Sequence, residues 1–296
     1  MPPFLNRNLS NSSLFTAIGQ LMLLATFVED SIRIVSQWSQ QMAFMQDVRE
    51  IPWFISFYSL FALVGTMISG IALVLAGPKR RALGAFLLIC VLLLQTAVYG
   101  LLLDANFLLR SCSIVGGLVL LIAHNSASET KKRTIFGGLP VGLETASRIY
   151  LPLIGRILLM LLCGSSILTA LTTGSLKNAF LGGSFSIPGA NSQLMPGSFQ
   201  LEFAKGIAGV TALISGCMVA VGFKAKTSAV LLLGVLILTN FLLLLDLISL
   251  GLSHPLSDFI KYDFFQTISI MGGFILLIQL GPGEMSVDMK SNNYLD

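Results

Sequence analysis

Long stretches of this chain run for the thickness of a bilayer without a charged side chain. Residues 54–76 and 227–245 contain no charge at all. A helix crosses the hydrocarbon core with about 17–25 apolar residues, and a backbone in lipid has hydrogen-bond partners only within its own helix or a closed barrel. The runs are long and unbroken rather than short and alternating, so the expected fold is all-α, a polytopic membrane helix bundle. Composition agrees. Only 11% of the 296 residues are charged, against about 25% in soluble domains, too few to cover a water-facing surface.

Eight runs qualify as spans: 14–34, 54–76, 82–103, 107–123, 150–172, 203–222, 227–250 and 262–280. Glu29, Asp30 and Arg33 interrupt the end of the first. No small-residue cleavage site follows a short apolar core there, so it reads as a retained span rather than a signal peptide. Basic residues collect in cytoplasmic loops. Lys79, Arg80 and Arg81 lie between spans two and three, Lys131, Lys132, Arg133 and Arg148 between four and five, and Lys224 and Lys226 between six and seven. The alternate connections hold only Arg49, Lys177 and Lys261. This asymmetry places both termini in the cytoplasm, where the sequons at Asn8 and Asn11 would go unused.

The two halves resemble each other. The stretch from Ser113 through Gly116-Gly117 to Ile122 aligns with Ser269 through Gly272-Gly273 to Ile278, and Ile68-Ser69-Gly70 aligns with Ile214-Ser215-Gly216. A four-span unit returns the chain to its starting side, so two such units are expected as parallel repeats about an axis along the membrane normal. The expected organisation is a first repeat at 1–123, a cytoplasmic linker at 124–149, a second repeat at 150–280 and a cytoplasmic tail at 281–296. The glycine pairs are expected to let helices approach closely.

On the non-cytoplasmic side nine acids face six bases. Glu29, Asp30, Asp246 and Asp263 lie at or inside helix ends, where charge is expensive and usually functional. Glu29 and Arg33 are four apart and can pair. One reading is a set of helix-end anchors and mutual counter-ions. The other is a recessed acidic mouth that attracts a cationic group, with Glu29, Asp30, Arg33, Lys261 and Asp263 as candidate binding residues. In that reading Arg33 and Lys261 hold the carboxylates ionised through opposite charge. The long connection from Thr173 to Gln200 is nearly uncharged, and reads either as a spacer or as a lid over the mouth.

The cysteines, Cys90, Cys112, Cys163 and Cys217, sit singly inside apolar runs, and the two histidines, His124 and His254, are far apart. Neither set has metal-ligand or disulfide spacing. With no Gly-rich nucleotide loop or haem motif, no cofactor, no metal and no enzymatic activity are expected. Nothing points to nucleic acid. Parallel repeats with intramembrane charge also suit a membrane transporter or a lipid-moving, scramblase-like protein.

Several stretches carry a family resemblance: Glu29-Asp30-Ser31-Ile32-Arg33 with Gln37-Trp38-Ser39-Gln40, Gln95-Thr96-Ala97-Val98-Tyr99, Phe107-Leu108-Leu109-Arg110, Gly222-Phe223-Lys224-Ala225-Lys226, and above all Lys261-Tyr262-Asp263-Phe264-Phe265-Gln266-Thr267 through Gly272-Gly273 to Leu280-Gly281-Pro282-Gly283, with Ser286 and Asp288 beyond. In order and over nearly the whole chain, they resemble the surfeit locus protein 4 family, within the wider DoxX-like group. The resemblance implies a cargo receptor that captures soluble lumenal secretory proteins, often by their mature amino termini, and loads them into COPII vesicles for transport from endoplasmic reticulum to Golgi. It implies residence in the endoplasmic reticulum, the intermediate compartment and the Golgi membrane. Its implied partners are secretory cargo, COPII coat components and membrane lipids, with room for a homo-oligomer. Family members commonly end in a lysine-rich signal read by the COPI coat, whereas this chain ends Met289-Lys290-Ser291-Asn292-Asn293-Tyr294-Leu295-Asp296. Its connection between spans five and six is also longer than the family pattern.

Overall fold

The computed structural model describes residues 3–135, 150–162, 211–212, 214–250, 257–281 and 286. Helix α1 (Pro3–Ser36) is followed by a short α2 (Trp38–Ala43) and a π-turn over Phe44–Val48. Then come α3 (Trp53–Leu75), α4 (Pro78–Val98), a 3₁₀ turn over Leu101–Leu103 and α5 (Ala105–Ile135). The second half contributes α6 (Tyr150–Leu162), α7 (residues 214–221), α8 (Ala225–Leu250) and α9 (Ser257–Leu280). Among the described residues, five helical segments are long and apolar enough to cross a membrane: Trp53–Leu75, Pro78–Val98, Ala105–Ser126, Ala225–Leu245 and Ser257–Leu280. They fall on the second, third, fourth, seventh and eighth runs expected from sequence. The first run lies within α1. Parts of the fifth and sixth, the Thr173–Gln200 connection, residues 136–149 of the linker and nearly all of the tail after Gly281 lie outside the described residues.

Local chemistry sets the helix ends. Pro78 at the first position of α4 has a fixed backbone angle suited to that place. The same helix stops at Val98, short of the expected 103, because Gly100 takes a left-handed φ of 70°, a conformation glycine reaches without a side-chain clash. Asp104 then starts α5: its Oδ1 accepts from the backbone N–H of Asn106 (3.0 Å) and of Phe107 (3.3 Å). Asp104→Ala should cost about 1 kcal/mol. The expected readout is a fall of about 2–4 °C in the melting midpoint of the detergent-purified protein; an unchanged midpoint would remove the cap from this account.

The packing joins the two ends of the chain. α1 lies along α9, with α9 also against α5 and α8. A side chain added at Gly272 would sit 2.6 Å from both the Gly19 carbonyl oxygen and the Leu23 amide nitrogen, so the α1 and α9 backbones are nearly touching. Thr26 Oγ1 lies within hydrogen-bond reach of the Phe265 carbonyl (3.0 Å) and of Ser269 Oγ (2.8 Å), and Ser269 Oγ within reach of the Met22 carbonyl (3.1 Å). Lower in the same seam Thr16 and Gln279 are bonded at 2.5 Å.

The α5–α6 seam repeats this arrangement. A Cβ on Gly116 would meet Leu159 N at 2.7 Å and the Gly155 oxygen at 2.9 Å. Between the seams Gly117 faces Gly273, with a built Cβ on the first 3.3 Å from the Cα of the second. Leu23 packs on Gly117 as Leu159 packs on Gly273. Paired glycine contacts thus mark the seam between α5 and α9. The core around it includes Leu23, Leu118, Leu121, Leu159, Phe274 and Leu277, all buried.

Candidate functional site

At one end of the bundle the helices converge on a cluster of charge. Arg33 stands at its centre. Its Nε lies 3.3 Å from Glu29 one turn back, its Nη2 donates to Asp30, and its guanidinium sits 5.3 Å above the Tyr262 ring of α9. Asp30 is 1% exposed; Gln95 of α4 donates to its other oxygen at 3.3 Å. The Glu29–Arg33 spacing needs nothing more than one helical turn. The Gln95 contact needs α4 folded back beside α1.

A second pair crosses between α5 and α9. Arg110 Nη1 donates to Asp263, and its contact with Gln266 Oε1 is 3.4 Å. Arg110 and Gln266 are 156 positions apart, the same register that brings Gly117 against Gly273. Phe107 stacks on Tyr262 at 6.4 Å and so ties the two ion pairs together.

The third pair lies on α9 itself. Lys261, expected with Arg33 to hold the carboxylates of the mouth ionised, bonds Asp258 at 3.0 Å. Residues two apart on a helix point to different faces, whereas residues three apart share one. Asp258 also accepts from Gln37 at 3.0 Å. Tyr99 donates to Gln41 at 2.8 Å, and Trp38 packs edge-on against Phe57 at 5.7 Å. The segment around α2 is thus tied to α3, α4 and α9 beside the cluster.

Glu29, Asp30 and Arg33 therefore come together. Asp263 joins the same cluster through Arg110 and Tyr262, and Lys261 sits at its edge. Sequence reasoning left Arg110, Gln95, Tyr99, Tyr262, Gln266 and Asp258 out of the candidate set. The alignment of the halves already held the signal for one of them, because its offset puts Arg110 opposite Gln266.

Four carboxylates, Glu29, Asp30, Asp258 and Asp263, meet three cations, Arg33, Arg110 and Lys261. Among the described residues the carboxyl groups of the cluster outnumber its cations by one, and Glu29 Oε2 is buried without a hydrogen-bond donor. A buried acceptor without a donor is costly, and a ligand ammonium would supply both the donor and the missing charge. Among the described residues no group of three His, Cys, Asp or Glu side chains is placed to hold a metal.

Comparison with known proteins gives the same family as the motifs. Residues 8–175 and 197–294 match the profile of the SURF4 family. The chain is 33% identical over 277 residues to the surfeit locus protein 4 homolog of Schizosaccharomyces pombe, covering 94% of this chain and 82% of that one. It is 30% identical over 273 residues to the Drosophila melanogaster homolog, covering 92% and 87%. It is also 30% identical over 280 residues to the ER-derived vesicles protein ERV29 of Saccharomyces cerevisiae, covering 94% and 77%. No solved structure matches.

Proposed function

Since this chain belongs to the SURF4 family, we propose that it is a multi-pass protein of the early secretory pathway that acts in vesicle export from the endoplasmic reticulum as a cargo receptor. It binds soluble secretory proteins in the lumen, through their amino-terminal residues, and sorts them into COPII vesicles bound for the Golgi. The relative named as an ER-derived vesicles protein supports the place. The basic turns at Lys79–Arg81 and Lys224–Lys226 support a lumenal position for the opposite end of the bundle, with the ion cluster. The observation that carries the binding reading is the excess carboxylate of that cluster, with Glu29 Oε2 buried and unpartnered. A peptide's free amino terminus brings one positive charge and three donors.

Glu29→Gln tests this at minimal structural cost, since it keeps the shape and removes the excess charge. Losing one charged hydrogen bond corresponds to roughly tenfold weaker capture. In microsomes, crosslinking of secretory amino termini should fall by that factor while expression holds, and cells carrying only the variant should export soluble proteins slowly. Unchanged crosslinking and secretion would discard the receptor site. Solute flux or lipid scrambling by the purified protein in liposomes, lost in Glu29→Gln or Asp263→Asn, would assign the cluster to transport instead.

A further inference from the structure

The other end of the bundle holds a second set of polar groups that the ion cluster does not use. Gln20 Nε2, Arg81 Nε, His124 Nδ1 and Asn125 Oδ1 are buried without hydrogen-bond partners. Asn125 is 4% exposed and Gln20 7%. Native interiors leave few such atoms, and among the described residues these four, with Gln279 Nε2 of α9, stand in the basic-side half of the bundle.

That placement follows from the fold. α4 and α5 form an antiparallel hairpin whose turn lies between Val98 and Ala105. Arg81 stands about as far before that turn as His124 and Asn125 stand after it, and Arg81 and His124 interact electrostatically. From α1, Leu23 reaches Gly117 of α5. Gln20 lies one turn nearer the basic end, and its side chain leans toward the α1 amino terminus, hence toward that end. Asn125 leans the opposite way along the bundle axis, because α5 runs antiparallel to α1. Arg81 is in the first turn of α4, where the helix dipole favours an anion. Lys79 and Arg80 are exposed beside it.

The chemistry asked of an occupant is mixed. Arg81 and the amino end of α4 call for an anion, and the Gln20 amide donates. Asn125 Oδ1 calls for a donor, while His124 Nδ1 accepts when its other nitrogen carries the proton. Both α4 and α5 reach the ends of their membrane-crossing segments here, at Pro78 and Ser126, which is the depth of lipid headgroups.

We propose that the basic-side ends of α1, α4 and α5 bind a phospholipid with a hydroxylated headgroup from the leaflet on that side, its phosphate on Arg81 and Gln20 and a headgroup hydroxyl on Asn125. Free phosphate shares part of this chemistry, so the test separates the two. The full-length protein is reconstituted in nanodiscs of phosphatidylcholine alone, or with phosphatidylinositol or phosphatidylserine added. Retained lipid is read by native mass spectrometry and stability by the unfolding midpoint. Phosphatidylinositol should be retained selectively and should raise the midpoint. Arg81→Gln should lower its retention roughly tenfold, as for loss of one charged hydrogen bond, while Arg80→Gln on the same turn changes nothing. Asn125→Leu, which removes a buried unpaired acceptor and should fold, erases the preference for inositol over serine headgroups. That variant keeps the test decisive if Arg81→Gln does not fold. Equal retention of phosphatidylinositol and phosphatidylcholine overturns the proposal, as does an Asn125→Leu protein with the wild-type preference. A midpoint raised equally by inorganic phosphate in pure phosphatidylcholine overturns the lipid assignment.

Discussion

Arg33→Leu should leave the protein unable to accumulate as a folded, monodisperse species. The guanidinium is the shared counter-ion of Glu29 and Asp30, and Asp30 is almost completely buried. Its loss strands two adjacent carboxylates away from water. Removing one partner of a buried pair costs about 3–5 kcal/mol, and whole domains are stable by only about 5–15 kcal/mol. Gel filtration and thermal melting in detergent read the effect directly. The cause is separable: adding Glu29→Gln and Asp30→Asn in the same chain removes the stranded charge. The triple variant should recover most of the folded yield yet still fail to crosslink cargo. Normal yield from Arg33→Leu alone would show that the cluster is open to water and that its pairs contribute little.

Gly272→Ala should separate α1 from α9. The added methyl meets backbone on both sides, at the Gly19 oxygen and the Leu23 nitrogen, each 2.6 Å away. No rotamer change relieves a clash with backbone, so the helices must move apart and loosen the Thr26–Ser269 bonds. Overpacking costs about 1–3 kcal/mol, occasionally more, and this position belongs at or above the top of that range. Alanine's better helix propensity returns only about 1 kcal/mol. Gly65 and Gly234 supply the control, since a Cβ at either meets nothing within 4 Å. Alanine there should be neutral or raise the melting midpoint slightly. If all three substitutions behaved alike, close approach at the α1–α9 seam would not be a source of stability.

Much of the site was legible before the fold. Glu29 and Arg33 are one turn apart on a single helix, so their pairing depends only on helical geometry. The expense of charge in hydrocarbon singled out Asp30 and Asp263. The sequence set Lys261 beside the acids without naming its partner, and helical spacing brings it to Asp258. The contacts of Gln95 and Tyr99 were not legible: both stand in a stretch that carries the resemblance, but an uncharged polar residue in an apolar run shows no partner until the neighbouring helix is known. Arg110 is an intermediate case: its place near a helix start was visible, its partner was not.

The sequence by itself determined that this is a polytopic bundle of membrane helices, because a chain so poor in charge can satisfy its backbone in lipid in no other way open to long apolar runs. It also determined the family, through motifs that depend only on order. Which helices touch was decided by tertiary structure alone. Gly19 and Gly272, Gly116 and Gly155, and Gly117 and Gly273 are pairs of gaps, and each gap has meaning only opposite the surface that fills it. Apolar helices are interchangeable in lipid, and close steric fit is what tells one from another.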